Sequence, residues 1–257
     1  MSPSAAEFRA LHEREPFVIP NPWDAGSARM LEELGFKALA TTSSGFAFTL
    51  GRADGDVTLD EVIAHTALLA AAVRIPVAVD LENGYGRAAA DAARAVGAAA
   101  EAGAAGGSIE DWDPDSGLYP VEEAAERIAA AAEAARASGF VLAARAENFI
   151  RGNPDLDDTI ARLQAYERAG ADVLYAPGIR GEQIQAVCSA VGKPVNVLAF
   201  PGMRADEVFA AGAQRISVGG QLTWVAAAAA AESAIAIRDD GDFDALKARL
   251  QGADWLR

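Results

Sequence analysis

Val77-Ala78-Val79-Asp80-Leu81-Glu82-Asn83-Gly84-Tyr85-Gly86 decides how this chain is read. An apolar run enters two carboxylates one residue apart, and a glycine-bracketed turn then opens a helical stretch over 87–102. Such a run, bounded by turn residues, is the pattern of a strand buried on both faces of a parallel sheet. On an extended strand Asp80 and Glu82 project from one face, about 7 Å apart. Two like charges converging there repel unless a cation lies between them. A hard, oxygen-seeking ion such as Mg2+ holds one or two carboxylates and keeps waters for substrate oxygens. Taken alone, the pair reads equally as solvated loop acids or as a cap for the next helix.

The same unit repeats on both sides. Phe17-Val18-Ile19-Pro20 reads as a strand, Asn21-Pro22-Trp23-Asp24 as a turn, and 25–34 as a helix stopped by Gly35. A second strand over 37–42 runs into Ser43-Ser44-Gly45, read as a polar loop. A further loop over 50–56 precedes Thr58-Leu59-Asp60-Glu61, a capping box that opens a helix to 73. Later strands over 106–111, 140–145, 172–175, 194–198 and 214–218 alternate with helices over 121–137, 157–169, 181–190 and 204–211, and 112–120 reads as irregular.

Strands alternating with helices imply a parallel sheet. Eight such units in about 250 residues fit a closed (β/α)8 barrel of the TIM type. An open doubly wound sheet is the alternative, weakened by the absence of Gly-x-Gly-x-x-Gly after the first strand. With no linker or composition shift, 1–257 reads as one domain. Its C-terminal region over 221–257 holds alanine-rich stretches over 226–231 and 233–237 and an amphipathic helix over 243–250. Small side chains there allow close approach of a partner subunit.

The chain has 257 residues, is 51% hydrophobic, and has no apolar run long enough to span a bilayer, so a soluble protein with a sizeable core is expected. Met1-Ser2-Pro3-Ser4-Ala5-Ala6-Glu7 shows no basic-then-apolar leader, which points to the cytoplasm. A net charge of -15 repels phosphate, arguing against nucleic acid as a partner. It also means that an anionic substrate needs locally gathered cations. The one cysteine, Cys188, rules out a disulfide framework and a thiolate zinc cluster, and reads as a small hydrophobe in a helix.

Barrel enzymes carry their chemistry at the carboxyl ends of the strands. Here those ends and the loops beyond offer Ser43, Ser44, Gly45, Asp54, Asp80, Glu82, Glu110, Asp111, Arg145 and Glu147. Each has an ordinary role open to it: Arg145 can balance Glu110 or Glu147 in a buried pair, and the serines can cap their own loop. Together they are costly after apolar strands unless paired or metal-bound. A divalent ion among Asp80, Glu82 and Glu110, with Arg145 gripping a substrate carboxylate bidentately, would satisfy nearly all of them. His12 and His65 fall in helical stretches and read as packing or surface residues. No Gly-x-Ser-x-Gly elbow and no strand-end lysine is present, which leaves metal-assisted enolate chemistry on an oxoacid.

These residues resemble the isocitrate lyase and phosphoenolpyruvate mutase superfamily, in particular its carboxyvinyl-carboxyphosphonate phosphorylmutase-like members. The likeness rests on Val79 to Gly86, Ser108-Ile109-Glu110-Asp111, Ala144-Arg145-Ala146-Glu147 and Leu50-Gly51-Arg52-Ala53-Asp54, and it covers almost the whole chain. The resemblance implies a barrel whose last helix is swapped between subunits of a homodimer or homotetramer. It implies Mg2+, with Mn2+ as a substitute, at Asp80, Glu82 and Glu110. A small 2-oxo or 2-hydroxy carboxylate would be held by Arg145, by backbone donors around Ser43, Ser44 and Gly45, and by Asn196, with Asp54 near the reacting end.

Departures from the family pattern are confined to the other half of the site. The lyases carry Lys-Lys-Cys-Gly-His after the fourth strand, where the cysteine supplies a proton; this chain has Asp111 to Tyr119 with no Cys, Lys or His. Asn196 stands two positions earlier than the lyases' substrate-binding asparagine, and strand six ends in Ala176-Pro177-Gly178. The mutases' gating lysine and asparagine are missing too. Tyr119, Asp113 or Asp115 is therefore the expected proton donor. Three readings follow: a carbon–carbon lyase working through a pyruvate-enolate-like intermediate; phosphorus–carbon chemistry of the mutase or phosphonopyruvate hydrolase kind; and a non-catalytic oxoacid binder.

Overall fold

In a computed structural model of the chain, which describes residues 3–248, Val77–Asp80 is the third of eight parallel strands in one sheet. In chain order these are β1 (Phe17–Ile19), β2 (Leu39–Ala40), β3 (Val77–Asp80), β4 (Gly106–Glu110), β5 (Val141–Arg145), β6 (Val173–Tyr175), β7 (Val195–Leu198) and β8 (Arg215–Ser217). Each pairs with its sequence neighbour from β2 to β8, and β8 pairs with β1, Phe17 lying against Arg215. Between β1 and β2 the ladder is replaced by single bonds. The Ala40 amide donates to the Pro20 carbonyl at 3.1 Å, and Asn21 Nδ2 donates to the Thr41 carbonyl at 3.0 Å. The expected barrel forms, nearly closed, and the open doubly wound sheet is excluded.

Helices α1 (Pro3–Leu11), α2 (Ala25–Glu33), α3 (Ser43–Thr49), α4 (Leu59–Ala72), α5 (Ala89–Glu101), α6 (Val121–Ser138), α7 (Leu156–Ala169), α8 (Glu182–Ala190), α9 (Ala205–Ala210) and α10 (Gln221–Asp240) accompany the strands. The capping box at α4 forms as its sequence requires, the Thr58 amide donating to Glu61 Oε2 at 2.9 Å. Ala92, Ala95 and Ala99 of α5 are buried, as are Ala124, Ala131 and Ala135 of α6. Small side chains thus let these two helices lie close. Large apolar residues such as Ile128 and Leu163 fill the layer between helices and strands, each contributing roughly 1.5–3 kcal/mol by burial. Inside the barrel a second cluster, including Phe8, Phe17, Ile19 and Ala78, plugs the amino-terminal end. A Cβ on Gly106 would lie 2.7 Å from Phe8 Cε1, so this plug requires glycine there.

Four segments differ from their sequence reading. Ser43-Ser44-Gly45 is the first turn of α3, because Thr42 caps it by accepting from the Gly45 amide. The segment over 112–120 contains a two-strand hairpin, Trp112–Asp113 against Gly117–Leu118, tightened by amides of Asp115 and Ser116 donating to Asp113 Oδ1. The alanine-rich stretches merge into one twenty-residue helix, α10, since no breaker interrupts them before Gly241 at φ 65°. A short 3-10 turn, Asp244–Lys247, stands where a helix over 243–250 was expected, and 249–257 lie outside the described residues.

Candidate active site

β3 delivers Asp80 to the carboxyl-terminal mouth of the barrel, where its amide donates to Thr41 Oγ1 at 2.9 Å. Its carboxylate accepts from Arg145 Nη1 at 3.1 Å, from Ser108 Oγ at 3.4 Å and from the Ser43 amide at 3.4 Å. Ladder register sets Arg145 beside Glu110 on one side and Tyr175 on the other. The guanidinium therefore meets Glu110 at 3.3 Å and Glu147 at 2.8 Å as well. Arg151, one turn further on, approaches Glu147 at 3.5 Å and Glu110 at 3.9 Å, with its guanidinium 3.6 Å from the Trp112 ring centroid.

Glu82 does not continue the strand. Its backbone is left-handed at φ 46°, as is that of Tyr85 at φ 58°, uncommon conformations for residues other than glycine. The turn swings Glu82 outward, and its Oε1 accepts from the Tyr85 hydroxyl at 3.0 Å. The same-face geometry expected for Asp80 and Glu82 is thus corrected: Asp80 lines an inner chamber and Glu82 an outer one.

The inner chamber, of about 160 Å3, runs into the barrel between Asn21, Thr41, Asp80, Tyr175 and Arg215. The outer one, of about 600 Å3, lies between Glu82, Tyr85, Glu110, Trp112 and Arg151. Ser43, Asp54 and Arg145 border both and form the partition. Five carboxylates, those of Asp54, Asp80, Glu82, Glu110 and Glu147, thus surround two guanidinium groups.

That excess of negative charge in a partly desolvated space shows in the titration of the acids. Burial and the nearby Asp80 push Glu82 up to about 7. Burial, then Glu147, holds Glu110 well above the ordinary carboxylate range, and burial raises Asp54 against the hydrogen bond from Ser43. Among the described residues no three or more His, Cys, Asp or Glu side chains are arranged to hold a metal ion directly. The donor set nevertheless fits Mg2+, which typically takes one or two carboxylates and keeps several waters.

The mouth brings together most of the residues expected from sequence. Ser44 lines the inner chamber, whereas Gly45 stands behind it, and a Cβ on Gly45 would lie 2.5 Å from Thr42 Cγ2 and 2.6 Å from Thr223 Oγ1. Asn196 lines the inner chamber too, with its amide group engaged by Ser217 and Arg215. Tyr119 borders neither chamber. It is buried under Arg127, 4.6 Å from guanidinium to ring centroid, with its hydroxyl donating to Asp113 Oδ2 at 3.3 Å. Its expected place at the reacting centre is corrected by the direction of its side chain, and Asp113 is occupied in closing the hairpin. Asp111 also turns away, accepting from Arg162 at 2.9 Å and from Tyr166. Both histidines pack internally, His65 stacked on Phe46 at 3.8 Å.

Sequence reasoning passed over Tyr85, Trp112 and Arg151 in the outer chamber, and Asn21, Tyr175, Arg215 and Ser217 in the inner one. A signal was present for two of them: Arg215 and Ser217 alternate around Ile216 and so share one face of β8.

A parallel barrel with paired arginine and surplus carboxylate at its carboxyl-terminal mouth belongs to the class of (β/α)8 proteins that place reacting groups there. A family model described as phosphoenolpyruvate phosphomutase matches residues 8–238, and the chain belongs to that family, within the isocitrate lyase and phosphoenolpyruvate mutase superfamily. A crystal structure from Burkholderia cenocepacia J2315, described as a candidate lyase/mutase, is 51% identical, with a TM-score of 0.94 over 98% of this chain and 94% of that one. Oxaloacetate decarboxylase of Rhodopseudomonas palustris (strain HaA2) is 32% identical over 91% of this chain and 84% of its own. 2-Methylisocitrate lyase of Escherichia coli (strain K12) is 33% identical over 69% of this chain and 63% of its own.

Proposed function

We propose that this chain is a Mg2+-dependent lyase acting on the carbon–carbon bond next to the carbonyl of a small 2-oxo or 2-hydroxy carboxylic acid, by way of an enolate-like intermediate. The observation that carries the reading is the partition itself: Arg145, ringed by Asp80, Glu110 and Glu147, stands between the two chambers. Relatives named for oxaloacetate and for methylisocitrate support an organic acid as substrate.

Asp80, Glu82 and Glu110 would hold the ion, with Mn2+ as a substitute. Bound there, it would polarise the oxoacid carbonyl and offset the charge of the acids. Arg145 offers a substrate carboxylate the N–H groups now shared by Asp80 and Glu110. The Ser43 amide, which donates to Asp80 Oδ2 at 3.4 Å, would orient a substrate oxygen beside it. Asp54, its carboxyl raised by burial, would carry a proton to or from the reacting carbon. Trp112 and Arg151 line the outer chamber beside it.

The site works in a homo-oligomer in this reading, with α10 as the exchanged element of one barrel domain per subunit. In support, Thr223 is the one buried residue of that twenty-residue helix, and Trp224, Val225 and Ile235 are exposed. No helix among the described residues is long and apolar enough to cross a membrane, and the cytoplasm is the proposed place of action.

Proton and phosphorus NMR with Mg2+ tests the reading against oxaloacetate, methylisocitrate, isocitrate, dimethylmalate, phosphonopyruvate and phosphoenolpyruvate. Turnover of a carboxylate, lost in Asp80→Asn, is expected. Turnover of a phosphonate would favour phosphorus–carbon chemistry instead, the reading that the family model supports. Silence, with Mg2+-dependent stabilisation by oxalate, would leave a non-catalytic oxoacid binder.

A further inference from the structure

The floor of the inner chamber holds a cation that the mechanism above does not use. Arg215 is 7% exposed, inside the barrel, and lines the chamber from below. Its Nε donates to Asn196 Oδ1 at 2.7 Å and its Nη1 to His12 Nε2 at 3.1 Å. Both acceptors are neutral. His12 donates through Nδ1 to the Phe8 carbonyl at 2.8 Å, which leaves Nε2 as the acceptor, and burial holds the ring well below its usual range, at about 3. Asn196 is itself anchored by donating to Ser217 Oγ at 3.0 Å. Among the described residues no carboxylate pairs with Arg215.

This contrasts with the rim. Arg145 is matched by three carboxylates, whereas Arg215 faces the same chamber with none. A buried charge without a counter-charge is costly, and a guanidinium satisfied by two neutral acceptors still has N–H groups to give. Its acidity answers to that environment, since burial lowers Arg215 to about 10.

The ladder connects the two arginines. Arg145 pairs in register with Tyr175, Tyr175 with Asn196, and Asn196 with Arg215, so all four side chains face the barrel interior. Three strand spacings separate the ends of this row, about 14 Å along the wall. Both arginines line the one inner chamber, so a single ligand within it can meet the two. Ala40 and Ala78 leave the space above Phe8 open. A cavity of about 150 Å3 accepts a benzene ring, so one of about 160 Å3 takes a four-carbon acid.

We propose that Arg215 is a specificity-determining residue, binding the second carboxylate of a dicarboxylic 2-oxo or 2-hydroxy acid whose reacting end lies at Arg145 and Asp80. The inference rests on the reading of the site given under Proposed function and adds to it the residue that reads the far carboxylate. The second carboxylate docks on the fork of Arg215 left open by Asn196 and His12, and the Ser217 hydroxyl stands beside it.

The test compares binding of malate with that of lactate, its one-carboxylate counterpart, both enantiomers of each, by calorimetry with Mg2+ on the full chain. Wild type is expected to bind one malate enantiomer roughly 10- to 100-fold more tightly than lactate, the range of a charge-assisted hydrogen bond. Arg215→Met, near in volume and uncharged, is expected to reduce malate to the level of lactate while leaving lactate binding unchanged. Arg215→Lys keeps the charge without the fork and is expected to fall between them. Equal weakening of malate and lactate in Arg215→Met would assign Arg215 to the scaffold alone and overturn the proposal. Wild type binding lactate as tightly as malate would also overturn it while leaving the site reading standing. Binding of neither acid by wild type would overturn this inference, while the site reading stands or falls on the NMR panel above.

Discussion

Replacing Glu82 by glutamine isolates the charge that the outer chamber carries at its own expense. In the folded chain burial and Asp80 move this carboxyl from 4.5 to about 7. At about 1.4 kcal/mol per pH unit, that corresponds to at most ~3 kcal/mol, and partial exposure of the side chain reduces it to ~1–3 kcal/mol. Because the folded pKa is the higher one, the folded state holds a proton that the unfolded state has lost between pH 4.5 and about 7. Stability from this group therefore falls as pH rises through that window and levels off above it. Glutamine cannot ionise, yet its carbonyl can still accept from the Tyr85 hydroxyl, which now lies 3.0 Å from Glu82. Urea unfolding in EDTA, followed by tryptophan fluorescence between pH 5 and 8, is the assay. Wild type and Glu82→Gln should be close at pH 5, with the variant ~1–3 kcal/mol more stable at pH 8. Added Mg2+ should stabilise wild type at pH 8 more than the variant. A stability difference that does not change with pH would refute the reasoning.

Two further substitutions test the packing around the site. Gly45→Ala would set a Cβ 2.5 Å from Thr42 Cγ2 and 2.6 Å from Thr223 Oγ1, costing ~1–3 kcal/mol and lowering Tm by several degrees; adding Thr223→Ala should restore part of the loss. Tyr119→Phe gives up the 3.3 Å bond to Asp113, costing ~0.5–1.5 kcal/mol in unfolding experiments, and should leave kcat on any substrate found unchanged. A large loss of kcat would return Tyr119 to the reacting centre.

The barrel was legible because each strand is an apolar run closed by turn residues, a signal carried by neighbours in sequence. The charged residues at the mouth were legible for a related reason, since Asp80, Glu110 and Arg145 end strands where an unpaired charge is costly. What stayed hidden depends on directions that sequence spacing does not encode. Two-residue spacing placed Glu82 beside Asp80, but its left-handed backbone turns it into the other chamber. Tyr119 follows a loop at the mouth, yet its ring is drawn under Arg127. Ser43-Ser44-Gly45 carries loop propensities, and the residue just before it, Thr42, caps it into a helix instead. Arg215 belongs to the amino-terminal end of its strand, so a survey of carboxyl ends passes over it, although its long side chain reaches the same chamber.

The seam between β1 and β2 has a consequence for how the polypeptide is made. Among the described residues β1 finds its ladder partner only in β8, and Asn21 fastens the circle by accepting from the Val218 and Gly219 amides, the former 197 positions later in the chain. At a ribosomal pace of ~5–20 residues per second, that partner emerges ~10–40 s after Asn21 itself. Throughout that interval only the Ala40–Pro20 bond and the Asn21–Thr41 bond stand in for a ladder between β1 and β2, beside the apolar packing of Phe17 and Ile19 on residues such as Ala78. The nascent barrel is therefore an open arc with an apolar first strand waiting beside it, and a nascent chain halted before β8 should expose that strand to chaperones or to proteolysis.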